Sequence, residues 1–157
     1  MGKFWLAFIV IFFCSCRTTS FFVVRHAQKE VNTMTSDVPL SEEGKRNAQL
    51  LKSALAGEKI QDIYSTNYIR TRSTVQPFAD HVNLPVQTYQ PLDSVFFKIL
   101  RYSNRNTLIA GHSNTVDDIV NHLLGYKHMS DLPDEQYGDL FIIKKKGNKF
   151  KLEKKSF

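Results

Sequence analysis

Two arginines and two histidines stand at points of this 157-residue sequence where an apolar run gives way to polar residues. Arg25 and His26 follow the run "FFVV", and His112 follows "TLIAG". Arg70 lies between them in the chain, a few residues after "DIYST". Taken singly, a histidine after a strand is usually a hydrogen-bonded turn residue, and an arginine on a helix is usually solvated. Their shared position after apolar runs makes all four candidates for one site.

The chemistry that these four side chains could perform together is the binding and transfer of a phosphoryl group. Guanidinium groups bind phosphate oxygens through paired hydrogen bonds and keep their charge. An imidazole held neutral by nearby positive charge can attack phosphorus, and a second imidazole, when protonated, can donate a hydrogen bond to the transferring group. Because phosphoryl transfer depends chiefly on positioning and electrostatic stabilisation, such a pocket supplies most of what the reaction requires.

The sequence contains no motif for the other common types of phosphate-binding site. It contains no P-loop, and its carboxylates are not clustered near the histidines as a two-metal site requires. The two cysteines both precede residue 17, so the rest of the chain offers no cysteine-based metal site and no disulfide framework. We therefore expect chemistry without a metal and without a cofactor.

The segments that must position these residues alternate between strand-like and helix-like patterns. Apolar runs predict buried strands, and amphipathic stretches with capping residues predict helices between them. The predicted strands are 20–25, 59–66, 85–89 and 106–112. The predicted helices are 41–57 with Ser41 as N-cap and Gly57 as stop, 67–82, 93–102, and 115–125, and Pro77 leaves open where the second one starts or kinks.

This alternation predicts the fold class. Strands that alternate with helices form a parallel sheet covered on both faces, and "LFIIKKKGNKFKLE" adds a closing hairpin. We predict an α/β fold, a three-layer α/β/α sandwich with a mostly parallel central sheet and a C-terminal β-hairpin. Ligands of such sheets bind beyond the carboxyl ends of the strands, which is where Arg25, His26 and His112 fall.

Four sequence blocks, taken in order, resemble a known family. "VVRHAQK", "PLSEEGKRNA", "YSTNYIRTRSTVQPFA" and "AGHSNT" resemble the histidine phosphatase superfamily, also called phosphoglycerate-mutase-like. The resemblance runs from about Phe21 to the final hairpin. It implies that His26 is the phosphorylated nucleophile and that Arg25, Arg70 and His112 form the phosphate pocket.

The surroundings of this pocket follow the family only in part. The turn of Ser113 and Asn114, at the start of the next helix, is expected to add backbone donors. Many family members have Gly-Glu after Arg-His, whereas this chain has Ala27-Gln28. This replacement is expected to change the substrate contacts more than the chemistry, and Gln28, Lys29 and Glu30 are expected to line the entrance. For Lys29, pairing with an anionic substrate and plain solvation are the alternatives.

The general acid of the family has no obvious counterpart here. Between Arg70 and His112 the only carboxylates are Asp80 and Asp93. Asp80 should be remote, because it lies near the end of the helix whose start carries Arg70. Asp93 is the candidate acid, and it is equally a candidate N-cap for the helix that follows. A third possibility is that the reaction uses neither.

The first 16 residues are typical of a leader. One lysine precedes an apolar run from Phe4 to Phe13, which is too short to cross a bilayer. The end of the run resembles a bacterial lipoprotein processing site, with Cys16 as the lipidated residue. Ordinary cleavage and a retained anchor are the alternatives. We thus expect residues 1–16 to be a leader and 20–157 to be the folded domain. The resemblance implies a protein exported to the cell envelope, tethered to the membrane and facing the periplasm or exterior.

The net charge of +6 lies entirely in the last 14 residues, since the rest of the chain has equal numbers of basic and acidic residues. Lysines on an edge strand discourage aggregation, and attraction to an anionic membrane is the alternative. No nucleic-acid partner is expected, because no aromatic-basic groove accompanies the lysines.

Length separates the branches of the family. Mutases of this family carry large insertions over the active site, and this chain has no room for them, so a compact phosphatase with an open pocket is expected. The predicted function is hydrolysis of a phosphomonoester, with a small phosphate-containing molecule or a phosphorylated protein as substrate. The alternative is a relative that binds phosphate without turnover.

Overall fold

The computed structural model of the protein describes residues 17–31, 35 and 37–157. The expected leader, with Cys16, lies outside these residues. Strands and helices alternate through the described chain as predicted. The strands are β1 (Thr19–Arg25), β2 (Asp62–Ser65), β3 (Val86–Thr88), β4 (Thr107–Gly111), β5 (Asp139–Lys146) and β6 (Lys149–Ser156). The helices are α1 (Glu42–Leu55), α2 (Ile69–Val82), α3 (Ser94–Tyr102) and α4 (Val116–Leu124).

All six strands form one sheet in the order β3-β2-β4-β1-β5-β6. β1, β2, β3 and β4 pair in parallel, while β5 runs antiparallel to β1 and forms the predicted hairpin with β6. The register places Arg25 beside Gly111 at the carboxyl ends of β1 and β4. Two of the three sequence blocks that carry the candidate residues are therefore neighbours in the sheet.

The helices cover both faces of the sheet, which confirms the predicted three layers. α1 and α2 pack on one face through apolar side chains that include Leu51 and Phe78. α3 and α4 pack on the other face through side chains that include Leu100 and Leu123. Side chains alternate between the faces of a strand, and so Leu108 and Ile109 of β4 belong to opposite layers.

The ends of the helices follow the predicted caps in most cases. The Ser41 hydroxyl accepts a hydrogen bond from Gly44 N at the start of α1, and Gly125 ends α4 in the left-handed region with φ 83°. α2 begins differently, because Ile69 N donates to the carboxylate of Asp37, far away in the sequence. Pro77 lies inside α2, which continues through it from residue 69 to residue 82.

Within the described residues, no helix is both long enough and apolar enough to cross a membrane.

Candidate active site

The carboxyl ends of β1 and β4 bring the two histidines together. His26 N donates to Gly111 O at 2.9 Å, and this bond fixes the first residue after β1 against the last residue of β4. The rings of His26 and His112 lie edge to face with their centroids 5.3 Å apart. The predicted convergence of two distant sequence blocks is confirmed.

The backbone orients the His26 ring and selects its tautomer. Nδ1 of His26 lies 2.8 Å from Ala27 O, and a carbonyl oxygen can only accept, so Nδ1 carries the hydrogen and Nε2 keeps its lone pair. The ring is buried. Burial lowers the pKa of His26 from 6.5 to about 3, against the opposing effect of the Ala27 carbonyl, and the charges of His112 and the two arginines lower it further. His26 is therefore a neutral imidazole at neutral pH.

His112 is held by a buried hydroxyl and an aromatic ring. Its Nε2 lies 2.8 Å from Thr66 Oγ1, and its ring meets that of Tyr68 nearly at right angles, with centroids 5.1 Å apart. Burial lowers the pKa of His112 to about 4, with the charges of Arg70 and Arg25 as further causes. An incoming phosphate dianion would oppose this repulsion and favour the protonated, donating form.

Arg70 is the cation best placed to bind an anion. It lies in the first turn of α2, with its guanidinium 4.5 Å above the Tyr68 ring. Its Nε is buried and has no hydrogen-bond partner within the described chain. A buried donor without a partner is costly, and a phosphate oxygen would satisfy it. Thr74, one turn later, accepts a hydrogen bond from Ala27 N at 2.9 Å and so ties this helix to the loop of His26.

Arg25 lies in the same cleft but is partly engaged elsewhere. Its Nη1 donates to the carbonyls of Pro133, Asp134 and Gln136 at 2.8, 2.9 and 3.1 Å. Its guanidinium stacks 4.2 Å above the ring of Tyr137. Nε is buried without a partner within the described residues. The segment 133–137 thus determines which nitrogen atoms of the Arg25 guanidinium remain free to bind a phosphate. The sequence did not predict that this segment contacts Arg25.

These residues line one cleft of about 380 Å³ at the carboxyl edge of the sheet. The predicted residues Arg25, His26, Arg70, His112, Ser113 and Asn114 all line it. Lys29, expected at the entrance, lines the cleft as well. Four further lining residues were not predicted from the sequence: Tyr68, Pro91, Thr115 and Asp134. In the part of the chain that the structure describes, no three His, Cys, Asp or Glu side chains are grouped as metal ligands.

The structure corrects the expectation for Gln28. Its Oε1 accepts a hydrogen bond from Asn47 of α1 at 2.8 Å, and it is not among the residues that line the cleft. The neighbouring Lys29 is exposed and lines the cleft, as expected for the entrance. The reason is local, because the Gln28 carbonyl accepts from Ser41 N at 3.0 Å and holds this residue against the start of α1.

The structure also separates the two roles considered for Asp93. Its carboxylate accepts from Val95 N at 2.8 Å and caps α3, so the cap is confirmed. Asp93 does not line the cleft, whereas Asp134 does. The Asp134 carboxylate lies 3.8 Å from Arg25 Nη2 and is 91% exposed. Asp134 follows both Arg70 and His112 in the sequence, and so it lies outside the interval in which a general acid was expected.

The arrangement combines a neutral imidazole with a free Nε2, a second imidazole and two guanidinium groups around one cleft. Such a set can bind a tetrahedral dianion and present a nucleophile to it, with charge stabilisation already in place. Asp134 adds a carboxylate at the rim.

Comparison with known proteins agrees with this geometry. The model of the family described as histidine phosphatase superfamily (branch 1) matches residues 21–127. No curated protein sequence matches the chain.

Solved structures resemble the whole described domain. A candidate alpha-ribazole-5'-P phosphatase from Escherichia coli aligns with a TM-score of 0.70 at 13% identity, covering 88% of this chain and 96% of that one. A candidate phosphohistidine phosphatase SixA from Agrobacterium tumefaciens aligns with a TM-score of 0.66 at 16% identity, covering 88% and 99%. A mycobacterial glucosyl-3-phosphoglycerate phosphatase gives 0.65 at 13% identity, covering 87% and 98%. At these identities the likeness concerns the fold.

Proposed function

Because the chain belongs to the histidine phosphatase superfamily (branch 1), we propose that it hydrolyses phosphate monoesters through a phosphohistidine formed on His26. The observation that carries the proposal is the orientation of the His26 ring. The Ala27 carbonyl takes the Nδ1 hydrogen at 2.8 Å, and the Nε2 lone pair is left for phosphorus. The neighbouring His112 ring and the unpartnered Nε of Arg70 line the same cleft and would bind the phosphoryl oxygens.

The proposed reaction has two displacements. The Nε2 lone pair of His26 forms a bond to phosphorus while the bond from phosphorus to the leaving oxygen breaks, and that oxygen keeps the electron pair and takes up a proton. Water then attacks the phosphohistidine and the P–N bond breaks. One proton of the water stays on the phosphate, the other returns to the group that protonated the leaving oxygen, and inorganic phosphate leaves with His26 restored. Arg70, Arg25 and His112 would stabilise the charge on the three phosphoryl oxygens in both steps.

Asp134 is the proposed source of the proton for the leaving group. It is the one carboxylate among the described residues that line the cleft, and its high exposure would let it move with the substrate. Asp93, which caps α3, is not proposed for this role.

The proposed substrate is a phosphate monoester that reaches an open cleft. Lys29 at the entrance is exposed and would attract further negative charge on a small molecule or on a phosphorylated protein. A panel of phosphate esters, run on the full chain, would rank these substrate classes.

The nucleophile is tested by His26→Ala with p-nitrophenyl phosphate. We expect a loss of kcat of about a thousandfold or more, with the circular dichroism spectrum unchanged and the wild-type activity intact in excess chelator. His81→Ala, at an exposed position on α2, is the matched control. Wild-type turnover in His26→Ala would refute the mechanism. Binding of orthovanadate without hydrolysis of any ester would instead indicate a phosphate-binding module.

For the leader, we propose export and attachment to the cell envelope through a lipid on Cys16, with the cleft on the periplasmic or outer side. The proposal rests on the apolar run before Cys16. Expression in a bacterium fed labelled palmitate should label the wild-type chain and not Cys16→Ser. Equal labelling of both would refute lipidation at this residue.

A further inference from the structure

The edge of the sheet opposite the cleft is also built from segments that are distant in sequence. We call it the strand-start edge. It comprises residue 17–18 before β1, the loop 56–61 before β2, the loop 103–106 before β4, and the turn of the β5–β6 hairpin at Gly147 and Asn148. Asn106 joins the starts of β1, β2 and β4, since its carbonyl accepts from Gln61 N at 2.8 Å and its side chain accepts from Ser20 N at 2.9 Å.

The sheet register separates this edge from the cleft. Thr19, at the start of β1, pairs with Lys145, and Lys146 pairs with Lys149 beside the turn. The other end of the hairpin, where Asp139 pairs with Ser156, lies at the carboxyl edge with the cleft. An eight-residue strand spans about 25 Å, so the hairpin turn stands roughly that far from the catalytic edge.

Positive charge at the strand-start edge exceeds the carboxylates that could neutralise it. Arg17, Lys59, Lys146 and Lys149 are exposed, and none of the four forms an ion pair within the described residues. Glu58, in the loop before β2, is the one carboxylate of this region that forms no ion pair within the described residues, and the others are engaged. Asp62 pairs with Arg105, and Glu153 pairs with both Lys144 and Lys151. The edge therefore presents cations without partners.

Apolar and aromatic side chains lie beside these cations. The end of α3 leads into the loop 103–106, and its Ile99 and Tyr102 are 53% and 71% exposed. Lys145 ties the hairpin to the same place, because its Nζ donates to the carbonyls of Arg101 and Ser103, each at 2.9 Å. Tyrosines beside basic residues are typical of proteins that lie at a membrane–water interface.

Protection of an edge strand explains only part of this distribution. Lysines along β6 blunt the free edge of the sheet. Arg17 and Lys59 precede β1 and β2, which lie inside the sheet, so they protect no edge strand. The apolar run of the sequence, Phe4 to Phe13, ends three residues before Cys16 and joins the domain at Arg17, on this same edge.

Three features meet at the strand-start edge: unpaired cations, the exposed Tyr102, and the point at which the apolar N-terminal sequence joins the domain. We infer that this edge lies against an anionic phospholipid surface. The catalytic cleft then faces away from the lipid and stays open to substrate. The inference concerns the orientation of the domain and does not require the proposed hydrolysis.

The orientation can be measured by tryptophan quenching in the full chain. Trp5 is the single tryptophan, so Trp5→Phe with Asn148→Trp places one reporter at the exposed hairpin turn, and Trp5→Phe with Glu135→Trp places one at the exposed cleft side. Each is mixed with vesicles of brominated phosphatidylcholine, with and without phosphatidylglycerol. We expect quenching at position 148 in the anionic vesicles, its loss in 0.5 M salt, and no quenching at position 135.

A charge reversal provides the matched test. Lys146→Glu with Lys149→Glu, added to the Asn148→Trp reporter, should reduce the quenching to the level found in neutral vesicles. Equal quenching at positions 148 and 135, quenching at 148 that is unaffected by the charge reversal, or no quenching at 148 would overturn the inference. Hydrolysis does not enter the readout, so a failure of the proposed activity would leave this result unchanged.

Discussion

At the scale of the residue, a single backbone carbonyl decides which nitrogen of His26 can react. Ala27 O fixes the hydrogen on Nδ1, and burial keeps the ring neutral. The proposed nucleophile thus needs no separate base to deprotonate it at neutral pH. Sequence could identify the histidine from its position after an apolar run. It could not identify the tautomer, because that depends on the local turn of the backbone.

The two lowered pKa values predict acid sensitivity of the fold. The pKa of His26 falls from 6.5 to about 3 and that of His112 to about 4, so below pH 6.5 the unfolded chain binds protons that the folded chain does not. Stability is full above that pH and declines as the pH falls towards 4, by up to about 1.4 kcal/mol per pH unit for His26 and by less for His112, which solvent screens more. Urea unfolding from pH 7 to 4.5 should show this decline. His26→Asn should make it shallower, since only the contribution of His112 remains, and His81→Asn, at an exposed site, should leave it unchanged.

The proposed acid role of Asp134 predicts a dependence on the leaving group. Asp134→Asn should lower kcat about a hundredfold for an alkyl phosphate, whose leaving oxygen must be protonated, and only slightly for p-nitrophenyl phosphate. Asp93→Asn is the matched control, because asparagine is an equally good N-cap and Asp93 lies outside the cleft lining. Equal losses with both esters, or the larger loss in Asp93→Asn, would contradict the assignment.

At the scale of the element, most of the structure follows from local sequence, and the exceptions are long-range contacts. Ser41, Asp93 and Gly125 cap their helices as predicted because each acts within a few residues of itself. The start of α2 is capped by Asp37 across 32 positions. Arg25 is held by carbonyls more than 100 positions away. The hydrophobic pattern of a sequence does not predict contacts between such distant residues. The contact of the segment 133–137 with Arg25 was therefore not predicted.

The contact of α1 with the His26 loop predicts a large effect on stability at one glycine and almost none at another. A Cβ at Gly44 would lie 2.1 Å from the Gln28 carbonyl oxygen, whereas at Gly57 it would meet nothing within 4 Å. Alanine in a helix normally adds about 0.5–1 kcal/mol, but this clash should outweigh the gain. We expect Gly44→Ala to lower the free energy of unfolding by about 1–3 kcal/mol. Gly57→Ala should change it by less than about 0.5 kcal/mol. Urea denaturation measures both, and a stabilised Gly44→Ala would show that the loop yields freely.

At the scale of the whole molecule, the layered fold and the position of the site were predictable because they follow from alternation and from the parallel arrangement of strands. The sheet order and the two opposite edges were not. They depend on which strands become neighbours, as when Asn106 brings the starts of β1, β2 and β4 together. From sequence, the lysine excess indicated edge protection or membrane attraction. The side of the domain on which these lysines lie is known only from the sheet register, which places the hairpin turn opposite the cleft.

The two helical layers share one sheet, and this predicts that they unfold together. Leu108 packs against α1 and α2, while Ile109 beside it packs against α3 and α4. Leu108→Ala should cost about 2–5 kcal/mol, which corresponds to about 30-fold or more in the opening equilibrium. If the sheet couples the layers, the slowest hydrogen-exchanging amides of α4 should accelerate as much as those of α1. Leu50→Ala, at a half-exposed position on α1, should leave both nearly unchanged. Acceleration confined to α1 and α2 would mean that the layer carrying His112 and α4 is stable by itself, and that the active site joins two units which open separately.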